Sequence, residues 1–265
     1  MRLATIVPPG GGSPVAAEVR GDRVHPYPAG TTVLALLSDP SGPAPAPGGD
    51  GIPLGDVALL APIPEPRVLY GVGLNYAAHA AEQGLEPPAT PIIFTMQPGS
   101  VAPPAGEIHC PPVVRRLDYE GELAVCIGAG GRIAGYAVAN DVSARDLQKR
   151  ERQWTRAKGF DGACPFGLWI TTADAVPDPM ALRLRVWVGD ELRQDSSTGD
   201  MIFTPQQVVD FLGETCTLHP GDVILTGTPS GVGMSMDPPR FLQDGDVVRV
   251  AIDGLGELRH TVRGA

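Results

Sequence analysis

The chain has 265 residues, including 34 Gly and 29 Pro, but 43% are hydrophobic and only 19% charged, which excludes a disordered or collagen-like chain. Lys and Arg number 20 against 30 Asp and Glu, a net charge of −10, and no basic run is dense enough to follow a phosphate backbone, so nucleic acid is a poor partner. No stretch approaches the roughly 18 apolar residues of a membrane span, and the start MRLATIVPPGGGS lacks the basic, apolar and cleavage-site order of a secretory leader; the sequence points to a cytoplasmic protein without a membrane partner.

Residues 1–66 carry short strand-like runs at residues 3–7, 15–19 and 32–37, separated by Gly/Pro clusters. The stretch SDPSGPAPAPGGDGIPLG (38–55) can sustain neither ladder nor helix and reads as a loop or linker. Residues 1–66 are therefore expected to form a small N-terminal domain with its linker, and residues 67–265 a second, larger domain. In the latter, RVLYGVGLN predicts a strand leading into a loop, and the Ala-rich NYAAHAAEQG, closed by Gly84, a short helix. YEGELAVCIG and RIAGYAVAND predict two strands joined by the hinge GAGG. SARDLQKRERQWTRAK has the composition of a surface helix, and LRLRVWVGDELRQD reads as strand, turn and strand. PQQVVDFLGETC predicts a helix laying Val208, Val209, Phe211 and Leu212 over the core, and GDVILTGTP and GDVVRVAIDGLGELRHTV end the chain in strands. No internal period of 20–50 residues is present, which excludes a solenoid. The sum is a strand-dominated α+β fold rather than an alternating βαβ wheel.

In a strand, residues i and i+2 share a face, so Glu120 and Glu122 would stand side by side while Leu123 and Val125 face the core. Two unneutralised carboxylates repel; a divalent cation resolves the conflict, and an all-oxygen set selects Mg²⁺, Mn²⁺ or Ca²⁺ over zinc. A lone E-x-E also fits the solvated face of an edge strand, but Asp141, across the hairpin, would bring a third carboxylate to the same spot. Arg145 and Gln148 follow one helical turn later and could face whatever the ion holds. Ion pairs of Arg145 with Asp146 or Glu151 on a solvated helix are the alternative, and for Lys158, in a Gly-flanked loop, a surface position is. His79 and Glu82, spaced i and i+3, allow the carboxylate to hold one ring nitrogen and leave the other to accept a proton from water. His25, His109, His219 and His260 have no clear partner in the sequence.

Other motifs fail on inspection. The run beginning Gly71-Val72-Gly73 lacks the third glycine and the βαβ unit of a dinucleotide site. The glycine-rich loop from Thr226 to Gly233 lacks the Lys-Ser/Thr of a phosphate loop and reads as a hydroxyl-lined pocket wall, and there is no G-x-S-x-G elbow. Cys110, Cys126, Cys164 and Cys216 form no C-x-x-C pair, which argues against a zinc knuckle or redox motif and for buried free thiols.

Taken in order, GLNYAAHAAE, DYEGELAV, ANDVSARDLQ, AKGFDGACPFG, GDMIF, PGDVILTGTPSGVG and GDVVRVAIDGLGEL resemble signature segments of the fumarylacetoacetate hydrolase superfamily. That resemblance implies a mixed β-sandwich roll preceded by a small N-terminal domain, assembled as a homodimer. It implies that Glu120, Glu122 and Asp141 hold Mg²⁺ or Mn²⁺, that His79 and Glu82 form a catalytic pair on a lid, and that Arg145, Gln148, Lys158 and Thr228 line the pocket. One departure is Gln97 in IIFTMQPGS, where many relatives carry Lys before the Pro, so no cationic contact to a second substrate carboxylate is expected from that position. The implied activity is hydrolysis of a C–C bond in an acylpyruvate or fumarylpyruvate, with His79 activating water and Lys158 stabilising the oxyanion. The alternatives on the same first contacts are isomerisation of a 2-hydroxy-diene-dioate and decarboxylation of its carboxymethyl relative or of oxaloacetate. A non-catalytic scaffold would need the carboxylates but not the His/Glu pair.

Overall fold

The computed structural model describes residues 1–39 and 46–265; within the expected linker, residues 40–45 lie outside the described residues. An eleven-stranded mixed sheet runs from Ile52–Pro53 through Arg23–Pro26, Val15–Arg20, Arg2–Val7, Ile170–Thr172, Ile133–Asn140, Gly121–Ile127, Val223–Leu225 and Leu69–Gly73 to Ile92–Met96, and Ala58–Leu60 also pairs with Arg2–Val7. A five-stranded sheet is ordered Glu191–Ser197, Arg183–Val188, Val247–Ile252, Gly256–Arg263, Ala105–His109. The expected strand-dominated α+β architecture is thus present, and the strands of the N-terminal segment continue the large sheet through the pairing of Leu3 with Ile170.

The strand Gly121–Ile127 lies inside this sheet and is buried along its whole length. Leu123, Val125 and Ile127 join Leu184, Val186 and Val250 of the facing sheet in the main core, while Ala124 and Cys126 pack on the opposite face with Phe166 and Leu225. A solvated edge strand is therefore excluded for the E-x-E segment. The two sheets approach closely at Gly121, where a Cβ would run into Val186, Val250 and Leu184. Gly121→Ala is expected to lose about 1–3 kcal/mol by overpacking, measured as a lower urea midpoint at unchanged slope.

Three expectations are corrected. Residues 32–37 are not a strand: Val33–Ser38 is a helix, because the Thr32 hydroxyl caps the Ala35 amide and Val33 and Leu37 bury one face. The predicted surface helix is two short ones, Arg145–Arg150 and Thr155–Lys158, whose Arg145, Leu147, Ala157 and Lys158 are buried. The helix Pro205–Gly213 forms as expected, with a Thr204–Gln207 capping box, and buries Val208, Val209 and Leu212 but leaves Phe211 partly exposed. Three of the cysteines are buried thiols as expected, and Cys216 is exposed. Among the described residues, no helix is long and apolar enough to cross a membrane.

Candidate active site

The hairpin sets the carboxylates. Gly121 pairs with Asn140 and Glu122 with Ala139. The ladder continues one step further, the Asp141 amide donating to the Glu120 carbonyl at 2.9 Å, and the Asn140 side chain accepts from the Glu120 amide at 3.0 Å. Oxygens of Glu120, Glu122 and Asp141, all buried, consequently lie within 4.8 Å of one another. Glu122 also accepts from the Gly227 amide at 2.6 Å. That loop comes this close only because residue 227 is Gly: φ is +97°, and a Cβ would strike Asn75 and the Val72 carbonyl.

Two cations enter the same cluster. Lys158 is only 2% exposed, not a surface lysine. Its Nζ donates to Glu120 at 2.5 Å and to Asp141 at 2.7 Å, and sits 5.6 Å from the centre of the Phe94 ring. Arg145 pairs with neither Asp146 nor Glu151; it reaches Asp118 at 2.9 Å and Glu120 at 2.6 Å, and donates to the Gln148 side chain at 2.9 Å. Asp118, not singled out from the sequence, anchors this wall by also accepting from the amides of Tyr119, Gly233 and Met234. Its signal was available: an acid two residues before Glu120, on the same face.

The helix Ala77–Glu82 supplies the remaining pair. His79 Nδ1 lies 2.6 Å from Glu82, whose other oxygen accepts from the Gly231 amide at 2.8 Å. The second ring nitrogen, Nε2, is engaged by the Gln83 amide at 2.7 Å, a contact that fits a neutral ring with its proton on Nδ1. Thr228 lines the cleft, but its hydroxyl donates to the Gly121 carbonyl at 3.0 Å and accepts from Gln194 at 2.8 Å, so it has no proton left for a substrate carboxylate in this arrangement. Gln194 is fully buried and also accepts from the Gly121 amide at 3.0 Å; on an alternating strand it looks like any outward polar residue, and nothing in the sequence marks it. Of the other histidines, His260 is buried against the Pro103 carbonyl at 2.9 Å and His109 lies 3.4 Å from Glu107, both away from the cleft.

The electrostatics favour a hard cation. Burial pushes the Glu120 carboxyl up, but Arg145 and Lys158 outweigh it and hold its pKa at about 2. Burial, with the charges of Asp141 and Glu120, drives Glu122 well above the ordinary carboxylate range. Asp141 is raised to about 6, its burial and the Glu120 charge outweighing Lys158. Lys158 in turn is raised despite burial, because Asp141 and Glu120 favour its charged form. When ionised, the four buried carboxylates Asp118, Glu120, Glu122 and Asp141 exceed Arg145 and Lys158 by two negative charges, the deficit that one divalent ion cancels. Asp141 Oδ1 is moreover buried with no hydrogen-bond partner among the described residues, so an all-oxygen donor set with an unsatisfied member fits Mg²⁺ or Mn²⁺. The cluster forms the floor of a cleft of about 640 Å³ whose apolar walls include Phe94 and Trp154.

A family model for the fumarylacetoacetate (FAA) hydrolase C-terminal domain matches residues 68–263, and the chain belongs to that family. It is 41% identical over 222 residues to the mitochondrial oxaloacetate tautomerase Fahd2a of Rattus norvegicus, covering 80% of this chain and 71% of the rat protein. Among solved structures it resembles the 2-hydroxyhepta-2,4-diene-1,7-dioate isomerase of Mycobacterium marinum, with a TM-score of 0.81, 36% identity and coverage of 99% of this chain and 98% of that one. The fumarylacetoacetate hydrolase of Exiguobacterium antarcticum gives a TM-score of 0.87 at 35% identity with full coverage of both chains. The relatives are thus enzymes of tautomerase, isomerase and hydrolase type, and two of these three names fall on the alternative reading of the sequence rather than on acylpyruvate hydrolysis.

Proposed function

We propose that the protein is a divalent-cation-dependent isomerase that interconverts keto and enol forms of a small 2-oxo acid. The observation that carries this reading is the occupied Nε2 of His79. Enolisation needs only the substrate carbon to take the place of Gln83 at this nitrogen. Hydrolysis needs a water there and the substrate beside it.

Glu120, Glu122 and Asp141 would hold the ion; Arg145 and Lys158 fix Glu120, Lys158 also fixes Asp141, and the Gly227 amide fixes Glu122. A bound Mg²⁺ or Mn²⁺ would supply Lewis acidity to a 2-oxo acid, lowering the barrier to loss of a C3 proton. His79 accepts that proton at Nε2, Glu82 holds the ring through Nδ1–H and balances the imidazolium charge, and the ring returns the proton to the enolate oxygen. No atom or electron is gained or lost. The side-chain amide group of Gln148, whose carbonyl oxygen accepts from Arg145, would orient the substrate carboxylate. Phe94 and Trp154, packed edge to face at 5.2 Å, keep bulk water from the reacting carbon.

The relatives named for tautomerisation and isomerisation support this reading. The His79–Glu82 contact at 2.6 Å favours a second one, C–C hydrolysis of an acylpyruvate, because water activation uses the same pair. Oxaloacetate, acetylpyruvate, fumarylpyruvate and a 2-hydroxy-diene-dioate, each followed by proton NMR in D₂O with Mg²⁺, separate the two. Enzyme-dependent deuterium entry at C3 without new acid supports isomerisation, and accumulation of pyruvate plus an acid supports hydrolysis. His79→Ala is expected to slow the reaction about 10²–10⁴-fold while leaving Mg²⁺ affinity unchanged; an unchanged rate would remove the pair from the mechanism.

A further inference from the structure

We propose that Gln194 is a positioning residue: reaching across from the facing sheet, it clamps the glycine between Glu120 and Glu122 and so fixes the angle at which the two carboxylates meet. The inference rests on the reading of the trio as a cation site and adds to it the residue that sets its geometry.

Gly121 is the loosest joint of that site. It is the one residue between two proposed ligands, and glycine holds its backbone angles least firmly of all residues. A side chain cannot stiffen it, because Val186, Val250 and Leu184 leave no room for a Cβ. The neighbouring strand does not reach it either. Val223–Leu225 pairs with residues 124–126 and ends there, and Leu123 still receives the Thr226 amide at 3.0 Å and the Thr226 hydroxyl at 2.9 Å. Two residues earlier, Gly121 turns its N–H and C=O to the same edge, past the end of that strand.

Side chains take over. The Gly121 amide donates to Gln194 Oε1 at 3.0 Å, Gln194 Nε2 donates to the Thr228 hydroxyl at 2.8 Å, and that hydroxyl donates back to the Gly121 carbonyl at 3.0 Å. The ring is closed and its direction is forced. Gln194 Nε2 also donates to the Pro229 carbonyl at 2.7 Å; a carbonyl only accepts and an amide only donates, so a flipped Gln194 would lose its contacts to both Pro229 and Gly121. Because the Asp141 amide donates to the Glu120 carbonyl, the peptide that joins Glu120 to Gly121 is held at both edges. The loop is tied in as well, since the Gly227 amide fixes Glu122 beside Thr228. Gln194 stands opposite Val186 in the facing sheet and is fully buried. An apolar residue would suit that place by itself, but would leave the Gly121 amide and the Pro229 carbonyl without these bonds.

Mn²⁺ binding, followed by the EPR signal of the free ion, tests this together with thermal denaturation in EDTA. Gln194→Met keeps the length of the side chain and removes its hydrogen bonds; Mn²⁺ affinity is expected to fall about tenfold or more, the usual cost of losing a group that orients a ligand. Val248→Ala is the control, a cavity in the same sheet as Gln194 that removes no bond of the ring. It should lower the melting temperature and leave Mn²⁺ affinity within about twofold of native. Thr228→Val opens the ring from its other side and should weaken Mn²⁺ as well. The double variant should bind within about twofold of the weaker single, because the two side chains act as one unit. Native affinity in a folded Gln194→Met, an equal loss in Val248→Ala, or losses that multiply in the double variant would overturn the positioning role. Should Gln194→Met not fold, native affinity in Thr228→Val would overturn it. Failure of the native protein to bind Mn²⁺ would instead overturn the cation site itself, and this inference with it.

Discussion

Lys158→Met in the metal-free protein is expected to cost about 3–5 kcal/mol of stability, because removing one partner leaves buried charge uncompensated. The side chain is nearly as long, so the loss is electrostatic rather than steric. With Lys158 gone, Asp118, Glu120 and Asp141 face Arg145 alone, Glu122 being held toward its protonated form by burial beside them. Added Mg²⁺ should then restore a larger share of stability than it does in the native protein, since the ammonium that donates to Glu120 and Asp141 no longer repels the ion. Turnover should nonetheless fall about 10²–10³-fold, the scale of one lost electrostatic stabiliser. Thermal denaturation in EDTA, then in Mg²⁺, measures both effects; a variant as stable as the native protein in EDTA would mean that Lys158 is not the counter-charge of the trio.

Metal affinity is expected to climb with pH, by about tenfold per unit while one proton is released per ion bound. The raised groups set the direction: Asp141, at about 6, and Glu122, well above the ordinary range, hold protons in the metal-free fold that an ion must displace. The same shifts act on stability. A carboxyl raised by folding stabilises the fold below its unfolded pKa, and that contribution is lost as pH rises through about 6 for Asp141 and higher for Glu122. Glu120, held at about 2, works in the opposite sense: its contribution is present above its unfolded pKa and is lost as pH falls through about 2. The chelated protein should therefore be most stable in mild acid, and the rise in melting temperature on adding Mg²⁺ should grow between pH 5.5 and 8. Titrations in buffers of different ionisation enthalpy that showed no proton release, with a Kd flat over that range, would contradict the assigned protonation.

The parts of this site that sequence reveals are those fixed by local period and register. Glu120 and Glu122 share a face because they are two residues apart, Asp141 joins them because a short hinge sets the hairpin, and His79 meets Glu82 because a helix turns in between three and four residues. What sequence hides depends on distant partners. Lys158 and Arg145 look like ordinary solvated cations until Glu120, 38 residues before the lysine, and Asp118, 27 before the arginine, pull them inside. Gln194 finds the Gly121 amide 73 residues away, which no local pattern encodes. The β-branched start and apolar run of Val33–Ser38 suit a strand as well as a helix, and one capping hydroxyl decides between them.

Glu120 and Glu122 are rooted at the start of Gly121–Ile127 and Asp141 just beyond Ile133–Asn140, strands laddered on both sides and packed on both faces, whereas His79 and Glu82 ride on a six-residue helix beside the cleft. Mutation therefore meets two regimes within one cavity. Changes among the carboxylates endanger folding itself, while cleft residues outside the trio and the His79–Glu82 pair, such as the exposed Leu85, can drift with little penalty. A lineage could thus exchange one substrate for another by altering only those peripheral residues, leaving the carboxylate floor intact.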